Sequence, residues 1–414
     1  MNRMMLLLAA TGLLAGAAPA QAGWVASWTA APVTPSAAAA GPMPATPSYA
    51  NRTIRQTLRL SAGGKALRVT FSNAYGARPL KIGGARIALL DKDGREMPGT
   101  SRPVLFAGAP SAIAARGAPL LSDAIDLPVS ALARVSLSLY LPEETGPCTC
   151  HTTGLDTADV SAPGDFTAHP FTAETTMQMR AFVTGIDVDA PDGAKTVAIL
   201  GDSISDGVGS TPGANRRWPD LLAERLAARP GTPWAVANQG ISGNRILHDG
   251  FGDSALARFD RDILALPGIG AVILFEGVND LGIGFGAMAQ GQADALRAAL
   301  PGGPISAADV IAGYRQIIAR AHAGGVKIFG ATIAPYKGAT YWSEAGEAAR
   351  QEINRFIRTG GAFDGVLDFD RVLADPADPA AMRADYHMGD HLHGNDASYK
   401  ALADAVDLAL FASR

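Results

Sequence analysis

The chain has 414 residues, 48% of them hydrophobic, which is enough for two filled cores and too apolar for a disordered or fibrous protein. A net charge of −4 with no basic run leaves nucleic acid nothing to bind. The only two cysteines, Cys148 and Cys150, cannot complete a tetrahedral zinc site.

Residues 1–22 carry Arg3, a Leu- and Ala-rich run, and then Ala20-Gln21-Ala22, the pattern of a cleavable signal peptide. This predicts export to the periplasm or beyond, with a mature chain starting at Gly23. The apolar run is short and broken by Gly12, Gly16 and Pro19, so it reads poorly as an anchor, and no later segment is suited to span a bilayer.

Residues 23–190 read as a β-rich first domain. Alternating stretches at Ile54–Leu60, Ala66–Phe71, Ala85–Leu90 and Arg134–Leu141 predict an all-β sandwich or jelly roll. The pair Cys148-Thr149-Cys150 reads either as a disulfide closed after export or as two free thiols; with His151 it falls one residue short of a haem-attachment motif. The segment Asp187–Gly193 has linker chemistry and marks the boundary with a second domain, residues 194–414.

There the rhythm changes to strands alternating with helices. Strands are expected at Val197–Leu200, Trp234–Ala237, Ala271–Phe275, Val326–Ile333 and Val366–Phe369, and helices at Trp218–Ala228, Ser306–Ala323, Trp342–Thr359 and Asp396–Leu410. Ser306 and Asp309 have the spacing of a capping box. This predicts a three-layer, doubly wound α/β domain with a parallel sheet of about five strands. The Gly/Ala/Gln-rich stretch Leu281–Gly303 reads as a loop walling the cleft, or, over Ala289–Leu300, as a surface helix.

The apolar run ending in Gly201-Asp202-Ser203 delivers a serine to the carboxyl edge of that sheet, which makes Ser203 the candidate nucleophile. A second Gly-Asp-Ser, ending at Ser254, follows no buried strand and reads as a helix cap. Asn238-Gln239-Gly240-Ile241-Ser242-Gly243-Asn244 and Glu276-Gly277-Val278-Asn279-Asp280 offer amide donors that could polarise a carbonyl oxygen. Asp202 and Asp280 are expected to accept hydrogen bonds from nearby backbone, whereas Asn244 and Arg245 read either as cleft-lining or as ordinary loop residues. Near the C-terminus, the three-residue spacing of Asp390 and His393 can place a base beside an orienting carboxylate, with His391 pointing elsewhere. The cluster His387, Asp390, His391 and His393 also fits a zinc reading, but no His-Glu-x-x-His arrangement accompanies it.

The order Gly-Asp-Ser, Gly, Asn, Asp-x-x-His resembles the SGNH hydrolases, also called the GDSL lipases and esterases. The first domain, with Gly23–Trp28, Ser72–Gly76 and Arg78–Gly83, is similar to the β-rich front domain of exported arylesterase-like members. The resemblance implies a serine ester hydrolase with Ser203, Asp390 and His393 as catalytic residues and an oxyanion hole made by the Ser203 and Gly240 N–H groups and the Asn279 amide. Two positions depart from the pattern: Ile204 in place of leucine, and Gly394 where proline often follows the histidine.

No dinucleotide or phosphate-binding fingerprint is present, so neither cofactor nor metal is expected. The expected substrate is an acylated small molecule or polysaccharide carrying short acyl groups, with long-chain lipids as the rival. A carbohydrate-binding protein with an inactive hydrolase domain is the reading from a different class. Oligomeric state has no signature in the sequence.

Overall fold

The alternating stretches of the first half pair into two antiparallel sheets in the computed structural model, which describes residues 23–36, 45–286, 300, 302 and 305–412. One sheet runs in the order Gly23–Thr29, Val183–Ala190, Leu67–Ser72, Pro119–Leu121. The other has six strands, Thr175–Met177, Ala158–Pro163, Arg52–Arg59, Arg134–Leu141, Gly84–Leu89 and Arg102–Pro103. In Arg52–Arg59 the period of two buries Ile54, Gln56 and Leu58 and turns Arg55, Thr57 and Arg59 outward. Ile54, Leu58, Leu137 and Leu139 of one sheet meet Leu67, Val69 and Phe71 of the other in one core, as in a sandwich. The buried Gln56 amide is paired on both sides with the Ala181 backbone, at 3.1 and 2.9 Å. Cys148 and Cys150 form a disulfide, which resolves the two readings of that pair.

The segment Asp187–Gly193 is not a linker as expected. Val183–Ala190 is a continuous strand paired on both sides, and the Asp187 carboxylate, 5% exposed, accepts a 2.8 Å bond from Arg68 Nε. Acidic residues in alternation with Val188 serve the strand, and only residues 191–194 turn the chain into the next one.

The second half holds a five-stranded parallel sheet in the order Trp234–Gly240, Lys195–Gly201, Ile269–Phe275, Lys327–Ala331, Gly365–Leu367. Both faces are apolar because helices cover both. Ala198, Leu200, Val272 and Leu274 pack under helices Ala307–Ala323 and Glu344–Thr359; Val197, Ile199, Ala271 and Ile273 pack under Trp218–Ala227 and Asp396–Ala405. The capping box at Ser306 forms with Asp309, and Ser254 caps the short helix Ala255–Phe259.

Several boundaries differ from expectation, among them the strand expected at Trp234–Ala237, which runs on to Gly240. The strand near Val366 stops at Leu367 because Asp368 turns the chain into the helix Phe369–Leu373. The last helix ends at Ala405 and resumes as the 3-10 turn Leu408–Phe411. Leu281, expected to open a loop, lies inside the helix Val278–Phe285. The expected signal peptide and residues 289–299 of the expected surface helix lie outside the described residues. Among those described, no helix is long and apolar enough to cross a membrane.

The two units share an interface along the edge strand Trp234–Gly240. Ser61 Oγ accepts from Val236 N at 2.9 Å, Thr29 Oγ1 donates to the Asn238 carbonyl at 2.9 Å, and Ala26 N donates to Thr196 Oγ1 at 3.0 Å. An open strand edge is thereby covered by the front unit.

Candidate active site

Three neighbouring strands end at one edge of the parallel sheet, where such folds gather their chemistry, and each hands over to one part of the site. Lys195–Gly201 leads into Asp202, whose Oδ1 accepts the Ile204 N–H at 2.9 Å and starts a single helical turn at Ser203. That turn stops at Gly207, φ 102°, where a Cβ would lie 2.1 Å from Arg217 Cγ, so only glycine fits. Ser203 is 4% exposed, and its N–H finds no acceptor among the described residues.

The base expected from the sequence, His393, arrives from the loop after residue 386. His393 Nε2 lies 2.9 Å from Ser203 Oγ, and His393 Nδ1 lies 2.6 Å from Asp390 Oδ2. Asp390 Oδ1 also accepts the N–H groups of Leu392 and His393, at 3.0 and 2.9 Å. Burial opposes ionisation of Asp390, but these bonds more than offset it and hold its pKa well below the ordinary carboxylate range. His391, with φ 60°, turns its ring away to stack on His387 at 4.4 Å. The unusual Gly394 is explained by packing: a Cβ there would lie 2.5 Å from Ser398 Oγ, and the Gly394 carbonyl fills the space beside Gly209. Among the described residues no cluster of three or more side chains could hold a metal ion.

Asn279 follows the strand Ile269–Phe275, in the first turn of Val278–Phe285. Its Nδ2 donates to the Asn244 carbonyl at 3.0 Å, and Tyr341 OH donates to its Oδ1 at 3.2 Å. These two bonds fix which way the amide faces and leave one Nδ2 hydrogen unused. Tyr341 had no motif to mark it in the sequence; the aromatic run after the fourth strand was its only signal.

The Gly240 donor expected from the sequence is not open. Its N–H donates to Asn238 Oδ1 at 3.0 Å, and its lack of a side chain serves close packing, since a Cβ would lie 2.5 Å from Asp206 N. Three residues on, Gly243 has φ 80° and an N–H with no acceptor among the described residues. It directly precedes Asn244, the residue that holds Asn279. The side chain of Asn244 is buried support rather than cleft lining: Nδ2 donates to the Asp253 carbonyl at 2.8 Å and Oδ1 accepts Arg258 Nε at 2.9 Å.

Behind the site lies a set of buried charges. Arg258, fully buried, donates to the carbonyls of Gln239 at 2.6 Å and Gly201 at 3.2 Å, and stands 3.9 Å from Glu276 Oε2. Asp280 accepts the Ile246 and Leu247 N–H groups at 2.8 and 3.2 Å, as expected for a residue serving the architecture. Burial pushes Asp280 up to about 6 and Asp202 up to about 7, and it raises Glu276 well above its ordinary value, with the Asp202 charge adding to the effect.

No curated protein matches the chain. Solved structures that resemble it include an acetylxylan esterase from Geobacillus stearothermophilus, 17% identical over 53% of this chain and 95% of that one, with a TM-score of 0.38. A GDSL-like lipase from Bacteroides thetaiotaomicron is 17% identical over 52% of this chain and 88% of that one, with a TM-score of 0.39. The family model of the GDSL-like lipases and acylhydrolases matches residues 199–401, the stretch that runs from the end of the first parallel strand past His393. The parallel-sheet half of this chain is thus a domain of the GDSL-like lipase/acylhydrolase family.

Proposed function

We propose that the protein is an exported serine ester hydrolase working through an acyl-enzyme. The single observation that carries this reading is the continuous line from Asp390 through His393 to Ser203, with contacts of 2.6 and 2.9 Å. A serine hydroxyl is a weak nucleophile until a base accepts its proton, and His393 Nε2 is within reach to do so. Ser203 Oγ adds to the ester carbonyl, its proton passes to His393, and His393 returns it to the departing alkoxide as the acyl C–O bond breaks. Water, activated by the same imidazole, then releases the acid and restores Ser203. Asp390 accepts from Nδ1–H and so keeps Nε2 free to act as base.

The negative oxygen that forms during attack needs fixed donors. We assign these to the Ser203 N–H, the Asn279 Nδ2–H and, in place of Gly240, the Gly243 N–H. Export is supported by the leader-like residues 1–22 and by the Cys148–Cys150 disulfide, a bond suited to an oxidising compartment. Export together with the β-sandwich front unit favours a short acyl group, such as acetate, carried on a polysaccharide.

The test is hydrolysis of p-nitrophenyl esters of increasing chain length, and acetate release from acetylated xylan, by the wild type and Ser203→Ala. Short esters are expected to be cleaved best, and the substitution to lower turnover by ~10⁴ to 10⁶. Near-normal activity in Ser203→Ala would overturn the mechanism. Preference for acyl chains of about eight carbons or more, each methylene adding buried apolar area, would replace the sugar ester by a lipid.

A further inference from the structure

A second histidine–carboxylate pair, buried beside the site, joins the two units. Asp206, the last residue of the turn that Ser203 begins, is 1% exposed and uses both oxygens. Oδ2 accepts the Ser242 N–H at 2.9 Å and the Ser242 hydroxyl at 2.7 Å. Oδ1 lies 2.9 Å from His151 Nε2, and His151 Nδ1 lies 2.8 Å from the Ala31 carbonyl. Both of the latter residues belong to the front unit. Thr153, also of the front unit, places Oγ1 2.9 Å from Ser242 Oγ. The backbone around His151 is held in turn: Cys150 is bridged to Cys148, and its carbonyl accepts Val33 N at 2.8 Å.

A carbonyl and a carboxylate both only accept, so both nitrogens of His151 donate and the ring is an imidazolium facing the Asp206 charge. Burial lowers its pKa, but the charge and hydrogen bond of Asp206 and the Ala31 carbonyl more than offset this and raise it. Such a buried pair is costly to desolvate, and whatever its net stability, its hydrogen bonds fix a geometry. The geometry it fixes is that of Ser242, the residue directly before Gly243.

We propose that His151 is a positioning residue for ester hydrolysis: acting through Asp206, it fixes Ser242 and thereby aims the Gly243 N–H, so that the front unit completes the oxyanion hole of the catalytic unit. This rests on the reading of Ser203 as the nucleophile toward an ester carbonyl.

The experiment measures kcat and KM on p-nitrophenyl acetate, with thermal melting of each variant, for the wild type, His151→Ala, His151→Gln and Ser242→Ala. A misaimed oxyanion donor is expected to lower kcat about 10- to 100-fold in His151→Ala with KM within about threefold of wild type. The amide of His151→Gln can donate to Asp206 and is expected to recover most of that loss. Ser242→Ala keeps its N–H contact, so its expected fall in kcat is smaller, about three- to tenfold. A folded His151→Ala with wild-type kcat, a loss confined to KM, or a Gln variant no better than Ala at equal melting temperature would each overturn the proposal. If His151→Ala does not fold, wild-type kcat in both His151→Gln and Ser242→Ala overturns it. Turnover that survives Ser203→Ala would instead sink the underlying reading of the site, and this one with it.

Discussion

Tyr341 and Asn279 show how much of the site's chemistry is decided by single hydrogen bonds. On the proposed mechanism, replacing Asn279 by alanine removes a donor to the developing oxyanion and is expected to lower kcat by about 10²- to 10³-fold. Tyr341→Phe keeps the ring and loses only the 3.2 Å bond to Asn279 Oδ1, a contact of about 1 kcal/mol, so a fall of about two- to tenfold in kcat is expected. A Tyr341→Phe variant as damaged as Asn279→Ala would mean that the ring, not its hydroxyl, shapes the site. Ser203, Asp390, His393 and Asn279 were legible in the sequence because each sits in a short local pattern whose spacing states its geometry. Which glycine offers an open N–H was not legible. Gly240 and Gly243 look alike as letters, and only the Asn238 side chain, folded back to accept from Gly240, separates them. Tyr341 was equally hidden, since it reaches the site through a residue far away along the chain.

At the scale of elements, the site depends on a helix that lasts one turn. Gly207→Ala would force a Cβ onto a residue at φ 102° and into Arg217, so Ser203 or Arg217 must move. The expected cost is about 1–3 kcal/mol or more in urea unfolding, together with loss of turnover. Retained stability and activity would show that the turn can re-form with a left-handed alanine. Elements with strong periodicity or explicit caps, such as the helix opened by Ser306, were readable to within a residue or two. Val183–Ala190 was misread at its end because its aspartates look like linker chemistry, whereas pairing on both sides and the Arg68 partner hold Asp187 inside a sheet. The short helix at Phe369 was missed because a stretch as short as Val366-Leu367-Asp368-Phe369 cannot by itself declare strand or helix, and Asp368 is the cap that ends one and starts the other.

At the scale of the whole molecule, the front unit covers an edge. Residues 194–414 alone would leave Val236 N–H without Ser61 Oγ and remove Ala26 from the core of the parallel-sheet unit. Such an edge pairs readily with other chains, so the isolated fragment is expected to aggregate on size exclusion or melt well below the full protein. A monomeric fragment with full-length melting temperature would reduce the front unit to an appendage.

The buried acids behind the site give the whole molecule a pH signature whose sign follows from proton counting. When unfolded, Asp202 and Asp280 lose their protons near 3.8; when folded, they keep them up to about 7 and about 6. Between those limits the folded state holds more protons than the unfolded one, so stability falls as pH rises from about 4 to 7. Asp390 works in the opposite sense, its contribution being present above 3.8 and lost as pH falls below it. His151, raised above 6.5, contributes below that value and loses its contribution as pH rises through its folded pKa, which extends the decline to the alkaline side. Urea unfolding at pH 5, 6, 7 and 8 should therefore give a declining series. Asp202→Asn keeps an oxygen to cap Ile204 but has no proton to lose, so it should flatten the fall between pH 5 and 7 and gain on the wild type by up to a few kcal/mol at pH 8. Equal stability of the wild type at pH 5 and pH 8 would mean that Asp202 and its neighbours ionise in the folded protein as they do in water, with Arg258 supplying more compensation than its 3.9 Å distance from Glu276 suggests.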